Sequence, residues 1–254
     1  MQPGMRIPGL IKNKKEISMF YGYFFFVCTY TNSMINFLYG GDIMSDCTFC
    51  NLDFTKIENT VIYETENFRV IPSIGALADG YVLVVTKKHV NSLAELDEEQ
   101  KKEYENLVYK VSDIFKKVYG KTPILFEHGT SNINNSMSAN SIIHAHSHIV
   151  NFEFQNEGEF LEKYNFASVQ SFDEVKKENY IYFQNGNGAK FVTYQFDSVS
   201  QLMRILIANE VNKENQYNWR EFDFKDNILG MLEKIKNRTF HGRPQTFERV
   251  TTKS

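Results

Sequence analysis

The chain has 254 residues, 42% hydrophobic and 15% aromatic, enough for a core in one large domain or two modest ones. A net charge of −3, with no basic block longer than Lys12 to Lys15, argues against duplex nucleic acid as a partner and leaves free nucleotides open. Three cysteines, two of them in Cys47-Thr-Phe-Cys50, do not make a secreted disulfide framework and point to a reducing, cytoplasmic compartment.

At the N-terminus, Lys12, Lys14 and Lys15 precede the apolar run Met19 to Tyr30 (MFYGYFFFVCTY), which has the order of a signal peptide. The run is too short to span a bilayer, is broken by Gly22, and is followed by no small-x-small cleavage site. Met44 opens MSDCTFC just ahead of the first motif, so residues 1–43 are read as an extension outside the fold, non-native or disordered. No membrane association is expected.

From Thr60, the segments TVIYET, FRVIPS and GYVLVVTK read as strands, with Gly75, Asp79 and Gly80 as turn punctuation. Ser92 with Glu95 has the form of a capping box. Beyond it, Leu96, Tyr104, Leu107, Val111, Ile114, Phe115 and Val118 recur at helical spacing, which predicts a long amphipathic helix over residues 93–118. PILFEHG (Pro123 to Gly129) reads as a strand and TSNINNSMSAN as a polar loop. After Phe154 the texture changes. FDEVKKE reads as a short helix, YIYFQNGNGAKFVTY as a hairpin turning at Asn-Gly-Asn-Gly, and SVSQLMRILIANEV and KDNILGMLEKIK as helices. The expected class is α+β, with one domain over residues 44–154 and a smaller α+β extension over 155–254.

The polar loop delivers the chain into Ser141 to Val150, SIIHAHSHIV, where His144, His146 and His148 stand at every second position. In a strand they share one face. A lone strand histidine is usually a satisfied core or surface residue, but three in strict alternation, of six in the chain, are hard to place that way. Two chemical readings are left. The three form a metal cluster, or one neutral imidazole attacks phosphorus while its other nitrogen is held by a hydrogen bond. Cys47 and Cys50 are either idle thiols or half of a tetrahedral metal site, which needs two further ligands; His89 and His144 are the candidates.

HAHSHIV resembles the histidine-triad pattern, His-x-His-x-His followed by two apolar residues. CTFC, FRVIPSIGALADGYVLVVTKKHVNSL, the long helix and ILFEHG arrive in the order seen in histidine-triad nucleotide hydrolases and transferases, a likeness that covers roughly residues 47–152. It implies an antiparallel half-barrel-like sheet with the long helix packed on it. It also implies His146 as the nucleophile that attacks an α-phosphate to give a nucleotidyl-histidine, and His148 as a phosphate contact. Cys47, Cys50, His89 and His144 are implied as a structural zinc set. Ser73 stands where many members hold ribose with Asp or Asn, Asn140 stands where many carry Gln, and Asn151 replaces a common Pro. Asn140 or Ser141 is placed to contact the scissile region or to donate to the leaving group.

Phe126 to Gly129 and the C-terminal region resemble a bacterial subgroup carrying FEHG and a Gln-x-x-Arg helix. That likeness offers Glu127 and His128 as a polar pair in the cleft, or as an ordinary strand-end pair. It offers Gln201 and Arg204 as substrate contacts, with Arg204 on the solvated face of its helix as the rival. The implied substrate is a dinucleoside polyphosphate or an adenylated small molecule. The acceptor is water, phosphate or a sugar phosphate. The alternative is a nucleotide-binding or RNA-processing adaptor without turnover. A homodimer through the long helix and an edge strand is expected of the family, unless the C-terminal extension blocks it.

Overall fold

The computed structural model describes residues 47–130, 142–195 and 199–236. Its strands are β1 (Tyr63–Glu64), β2 (Phe68–Pro72), β3 (Tyr81–Thr86), β4 (Ile124–Gly129), β5 (His146–Val150), β6 (Ala167–Val169), β7 (Tyr180–Gln184) and β8 (Lys190–Thr193). Four α-helices are described: α1 (Glu98–Tyr119), α2 (Glu157–Lys163), α3 (Leu202–Glu210) and α4 (Lys225–Ile235). The strands form one antiparallel sheet in the order β1-β2-β3-β5-β4-β7-β8-β6. The α+β class expected from the sequence is therefore observed. The ladder crosses residue 155 without a break, because β7 pairs with β4 (Phe126 opposite Phe183, His128 opposite Ile181).

α1 forms because Tyr104, Leu107, Val111, Ile114 and Phe115 recur on one face and bury against the sheet. Its start differs from the expected one. Asp97, not Ser92, caps it: the Asp97 carboxylate accepts from Gln100 N at 2.8 Å, and Asp97 N donates to Gln100 Oε1 at 3.2 Å. Ser92 instead precedes a single 3₁₀ turn, Leu93–Glu95, and its side chain makes no cap. The reason is tertiary. The N–H of Leu93, the first residue of that turn, donates to the buried carboxylate of Glu127 at 2.8 Å. Gly120, in the left-handed region at φ 81°, closes the helix. The predicted hairpin is present as β7 and β8, whereas FDEVKKE contributes only a 3₁₀ turn, Phe172–Glu174. α2 and β6 are elements the sequence reading did not anticipate.

The pleat of β4 and β5 separates two environments. Phe126 and His128 share one face with His146 and His148, while Glu127 and Ser147, paired across the ladder, point toward α1. The C-terminal helices are fastened to the turn between β2 and β3. Gly75 N donates to Asp223 O at 2.9 Å, Arg204 Nη2 donates to Gly75 O at 2.6 Å, and Asn227 Nδ2 donates to Ala76 O at 2.6 Å. Gly75 has φ 71°, and a Cβ there would lie 2.7 Å from both Arg204 Nη2 and Trp219 Cβ, so only glycine fits this junction.

Glu127 is fully buried and accepts from Leu93 N and from the hydroxyl of Tyr180. Burial pushes its carboxyl from the ordinary 4.5 up to about 8, and those two hydrogen bonds offset only part of the effect. A folded-state value above the unfolded one means that the folded state holds the proton more tightly. Its contribution to stability is therefore complete below pH ~4.5 and is lost as pH rises toward ~8. Glu127→Gln removes the ionisation and keeps an acceptor for Leu93 N, while its amide nitrogen donates to a Tyr180 hydroxyl turned to accept. Urea melts should show wild type losing stability across that window, with a visibly flatter profile for the variant.

Candidate functional site

The site begins at the peptide leading into β5. Ala145 is fixed by backbone bonds to both flanking segments, from its N–H to Val90 O at 2.7 Å and from Thr86 N to its carbonyl at 3.2 Å. That holds His144 between them. The Nε2 of His144 lies 2.8 Å from Thr86 O, and since a carbonyl only accepts, Nε2 carries the proton. The Nδ1 lone pair then faces sulfur, 3.3 Å from Cys47 Sγ and 3.6 Å from Cys50 Sγ. His89 Nδ1 completes the group at 3.3 Å from Cys50 Sγ. The four ligand atoms all lie within 4.8 Å of one another.

These dimensions fit a metal ion. A tetrahedron with metal–sulfur bonds near 2.3 Å and metal–nitrogen bonds near 2.0 Å has sulfur–nitrogen edges of about 3.5 Å. The backbone carbonyl that fixes His144 is the usual outer partner of a ligating imidazole. Burial, then the hydrogen bond and charge of Cys47, push the Cys50 thiol up to about 11, an arrangement that a bound cation reverses. Cys47, Cys50, His89 and His144, the four residues that the sequence indicated, thus cluster as a group that could hold a metal ion.

Two residues on, His146 has its Nδ1 at 2.6 Å from His144 O. The same carbonyl argument puts the proton on Nδ1 and leaves the Nε2 lone pair free of it. Burial holds the ring at a pKa of about 4, so it is neutral at physiological pH. Phe49, inside the Cys-x-x-Cys loop, packs edge-on against His146 at 4.9 Å. His148 stacks on Phe126 at 4.4 Å and 10°, and its Nδ1 lies 2.9 Å from the hydroxyl of Tyr81. Burial, with His146, His128 and Arg204 as further contributors, holds it well below the usual histidine value.

A cleft of about 250 Å³ opens in front of these rings, and Ser73, His128, His146, His148, Gln201 and Arg204 all line it. Arg204 is only 3% exposed, so its placement on a solvated helix face is excluded. Glu127, offered as a cleft partner of His128, is not among the lining residues: strand alternation turns it to the α1 side of the sheet. Ser141 and Asn140 lie outside the described residues. The sequence reading missed Phe49, Lys56, Asn59 and, as a wall of the cleft, Trp219. Phe49 carried a signal in its position between two candidate ligands, and Trp219 in the Trp-x-Arg-like stretch, Trp219 with Arg220, that the subgroup resemblance also covers.

The family described as scavenger mRNA decapping enzyme C-term binding matches residues 46–164. Protein hit of Bacillus subtilis is 26% identical over 105 residues, 41% of this chain and 70% of that protein. An uncharacterised HIT-like protein of Borreliella burgdorferi is 25% identical over 118 residues, 45% of this chain and 81% of the relative. Together these likenesses support a histidine-triad (HIT) family protein. Among solved structures, a zinc-bound histidine triad family protein from Mycobacterium smegmatis is 19% identical, with 42% of this chain and 75% of that one covered and a TM-score of 0.32. Membership of the HIT family suggests nucleotide binding or hydrolysis. Among the described residues of this HIT protein, no helix is long and apolar enough to cross a membrane.

A metal held by this ligand set makes stability depend on it. Stripping the HIT protein with a strong chelator should lower Tm by at least about 3 °C, the equivalent of roughly 1 kcal/mol. Readdition of metal should restore it, and Cys50→Ser should abolish the response. A wild-type Tm indifferent to chelator contradicts a metal centre.

Proposed function

We propose that this HIT protein is an enzyme that transfers a nucleotidyl group from the α-phosphate of a nucleotide conjugate through a covalent intermediate on His146. The observation that carries the reading is the 2.6 Å hydrogen bond from His146 Nδ1 to His144 O. It fixes the ring as the tautomer whose Nε2 is a nucleophile, beside a cleft of nucleotide-compatible chemistry. A neutral imidazole needs no deprotonation before attack.

In the first step Nε2 of His146 bonds to the α-phosphorus while the bond from phosphorus to the bridging oxygen or nitrogen breaks, the leaving group taking the electron pair. In the second, the oxygen of water or another acceptor attacks phosphorus and gives up its proton to the departed leaving group or to solvent, the phosphorus–nitrogen bond breaks, and its electron pair returns to Nε2. His148 steadies a phosphate oxygen as charge gathers there. Ser73 is proposed to face the ribose, and His128 and Gln201 the remainder of the substrate. Asn140 and Ser141 are proposed at the scissile region.

Zinc is the proposed ion. Cys47, Cys50, His89 and His144 would hold it, where it supplies structural cross-linking between the N-terminal loop and the approach to β5. The proposed division is a histidine-triad domain over residues 44–154 and an extension over 155–254, in a cytoplasmic protein. The matched family's description, which names mRNA decapping, gives cap-like dinucleotides a place in any substrate panel. The adaptor reading keeps the cleft but has no use for a nucleophile of fixed tautomer.

The test is intact-protein mass spectrometry after rapid alkaline quenching, with adenylated, guanylated and cap-like dinucleotides as substrates. Wild type should gain one nucleoside monophosphate, and His146→Ala should gain none while still binding nucleotide. Absence of both adduct and product with every substrate would favour the adaptor.

A further inference from the structure

His148 and Arg204 are both proposed near phosphate, yet the structure connects them through a third residue. Tyr81 is fully buried on β3, and its hydroxyl lies 2.9 Å from His148 Nδ1. The hydrogen on that bond belongs to either partner unless something orients the phenol. Arg204 does so. Its guanidinium lies 5.7 Å from the centroid of the Tyr81 ring, which puts a fixed positive charge beside the phenol.

Arginine has five N–H groups and no acceptor, so it cannot take the phenolic hydrogen. A hydroxyl dipole beside a cation turns its oxygen toward the charge and its hydrogen away, and the acceptor within hydrogen-bond reach is His148 Nδ1. A donor there requires Nδ1 to be an acceptor, which places the proton of His148 on Nε2. Desolvation raises the phenol's pKa, so Tyr81 keeps the proton it donates.

Arg204 is itself immobilised. Nε donates to Tyr217 O at 2.9 Å and Nη2 to Gly75 O at 2.6 Å, so two of its donors are spent on the backbone. The packing at Gly75 admits no side chain that would loosen this.

We infer that Arg204 and Tyr81 form a relay that fixes His148 as the Nε2–H tautomer, so that the C-terminal part of the chain sets the donor offered to the substrate's phosphate. The inference rests on the nucleotidyl-transfer reading of the same cleft and deepens it. His146 and His148, two residues apart on one strand face, then carry opposite tautomers: one presents a lone pair to phosphorus, the other an N–H to a phosphate oxygen. Tyr81 and Arg204 are positioning residues in this scheme, acting through His148.

Tautomers are read directly from two-bond proton–nitrogen correlations on protein labelled with ¹⁵N-histidine, near pH 7.5 and without substrate. His148 is expected as Nε2–H alone and His146 as Nδ1–H alone. In Tyr81→Phe, His148 should become a tautomer mixture while His146 is unmoved; Arg204→Met should move His148 in the same direction. Tyr81→Phe should also lower kcat by roughly 10²-fold, the usual loss of one aimed donor, with KM changed much less. A wild-type His148 protonated on Nδ1 overturns the inference even if neither variant folds. So does an unchanged His148 tautomer in a folded Tyr81→Phe. Failure of the parent reading is seen separately, as a wild type that forms no nucleotidyl adduct whatever its tautomers.

Discussion

His144 is the residue on which the rest of the site depends, because its two ends serve different functions. Its imidazole, locked by Thr86 O, turns Nδ1 toward Cys47 and Cys50. Its carbonyl takes the Nδ1–H of His146. The metal-ligating group and the proposed nucleophile are thus joined across a single backbone unit, and a shift of that unit moves both. Phe49 adds a second link, since it lies between the two cysteines in sequence and packs on both His144 and His146. The alternation of histidines straddles the start of β5: His144 lies ahead of the strand and faces sulfur, while His146 and His148 share the strand face at the cleft.

Around that unit the sheet sorts chemistry by face. On the cleft side, neutral imidazoles and aromatic rings pack together. On the other, Glu127 is held by Tyr180 and the Leu93 N–H beneath α1. The carboxylate contributes nothing to the cleft directly and instead anchors the 3₁₀ turn ahead of α1. The C-terminal half is equally tied in. β7 continues the ladder from β4, and α3 and α4 are anchored on the turn between β2 and β3. Arg204 and Gln201 reach the cleft only because of that anchoring.

Much of this was legible in the sequence, and the gaps have physical reasons. The alternation of His144, His146 and His148, the Cys-x-x-Cys pair and the order of the surrounding segments carried the family and the ligand set, since these depend on spacing and residue type. The separation of Glu127 from His128 was also readable: adjacent strand residues face opposite sides, so both could not enter one cleft. The start of α1 was not, because Ser92-x-x-Glu95 and Asp97-x-x-Gln100 both have the form of a capping box and only the second caps the helix. Nor was the burial of Arg204, which depends on a glycine turn far away in the chain. Trp219 reaches the cleft through the same junction, which helical periodicity does not record.

The central claim is a phosphorus–nitrogen bond formed and broken on His146, and it has a stereochemical signature. Each in-line displacement inverts phosphorus, so two displacements restore the original configuration. The measurement is turnover of a nucleotide conjugate carrying a chiral α-phosphorothioate in ¹⁸O-water, with the product's configuration determined by ³¹P NMR. Retention is the result this account predicts. Inversion would mean that water attacks phosphorus directly, and would contradict the covalent role of His146.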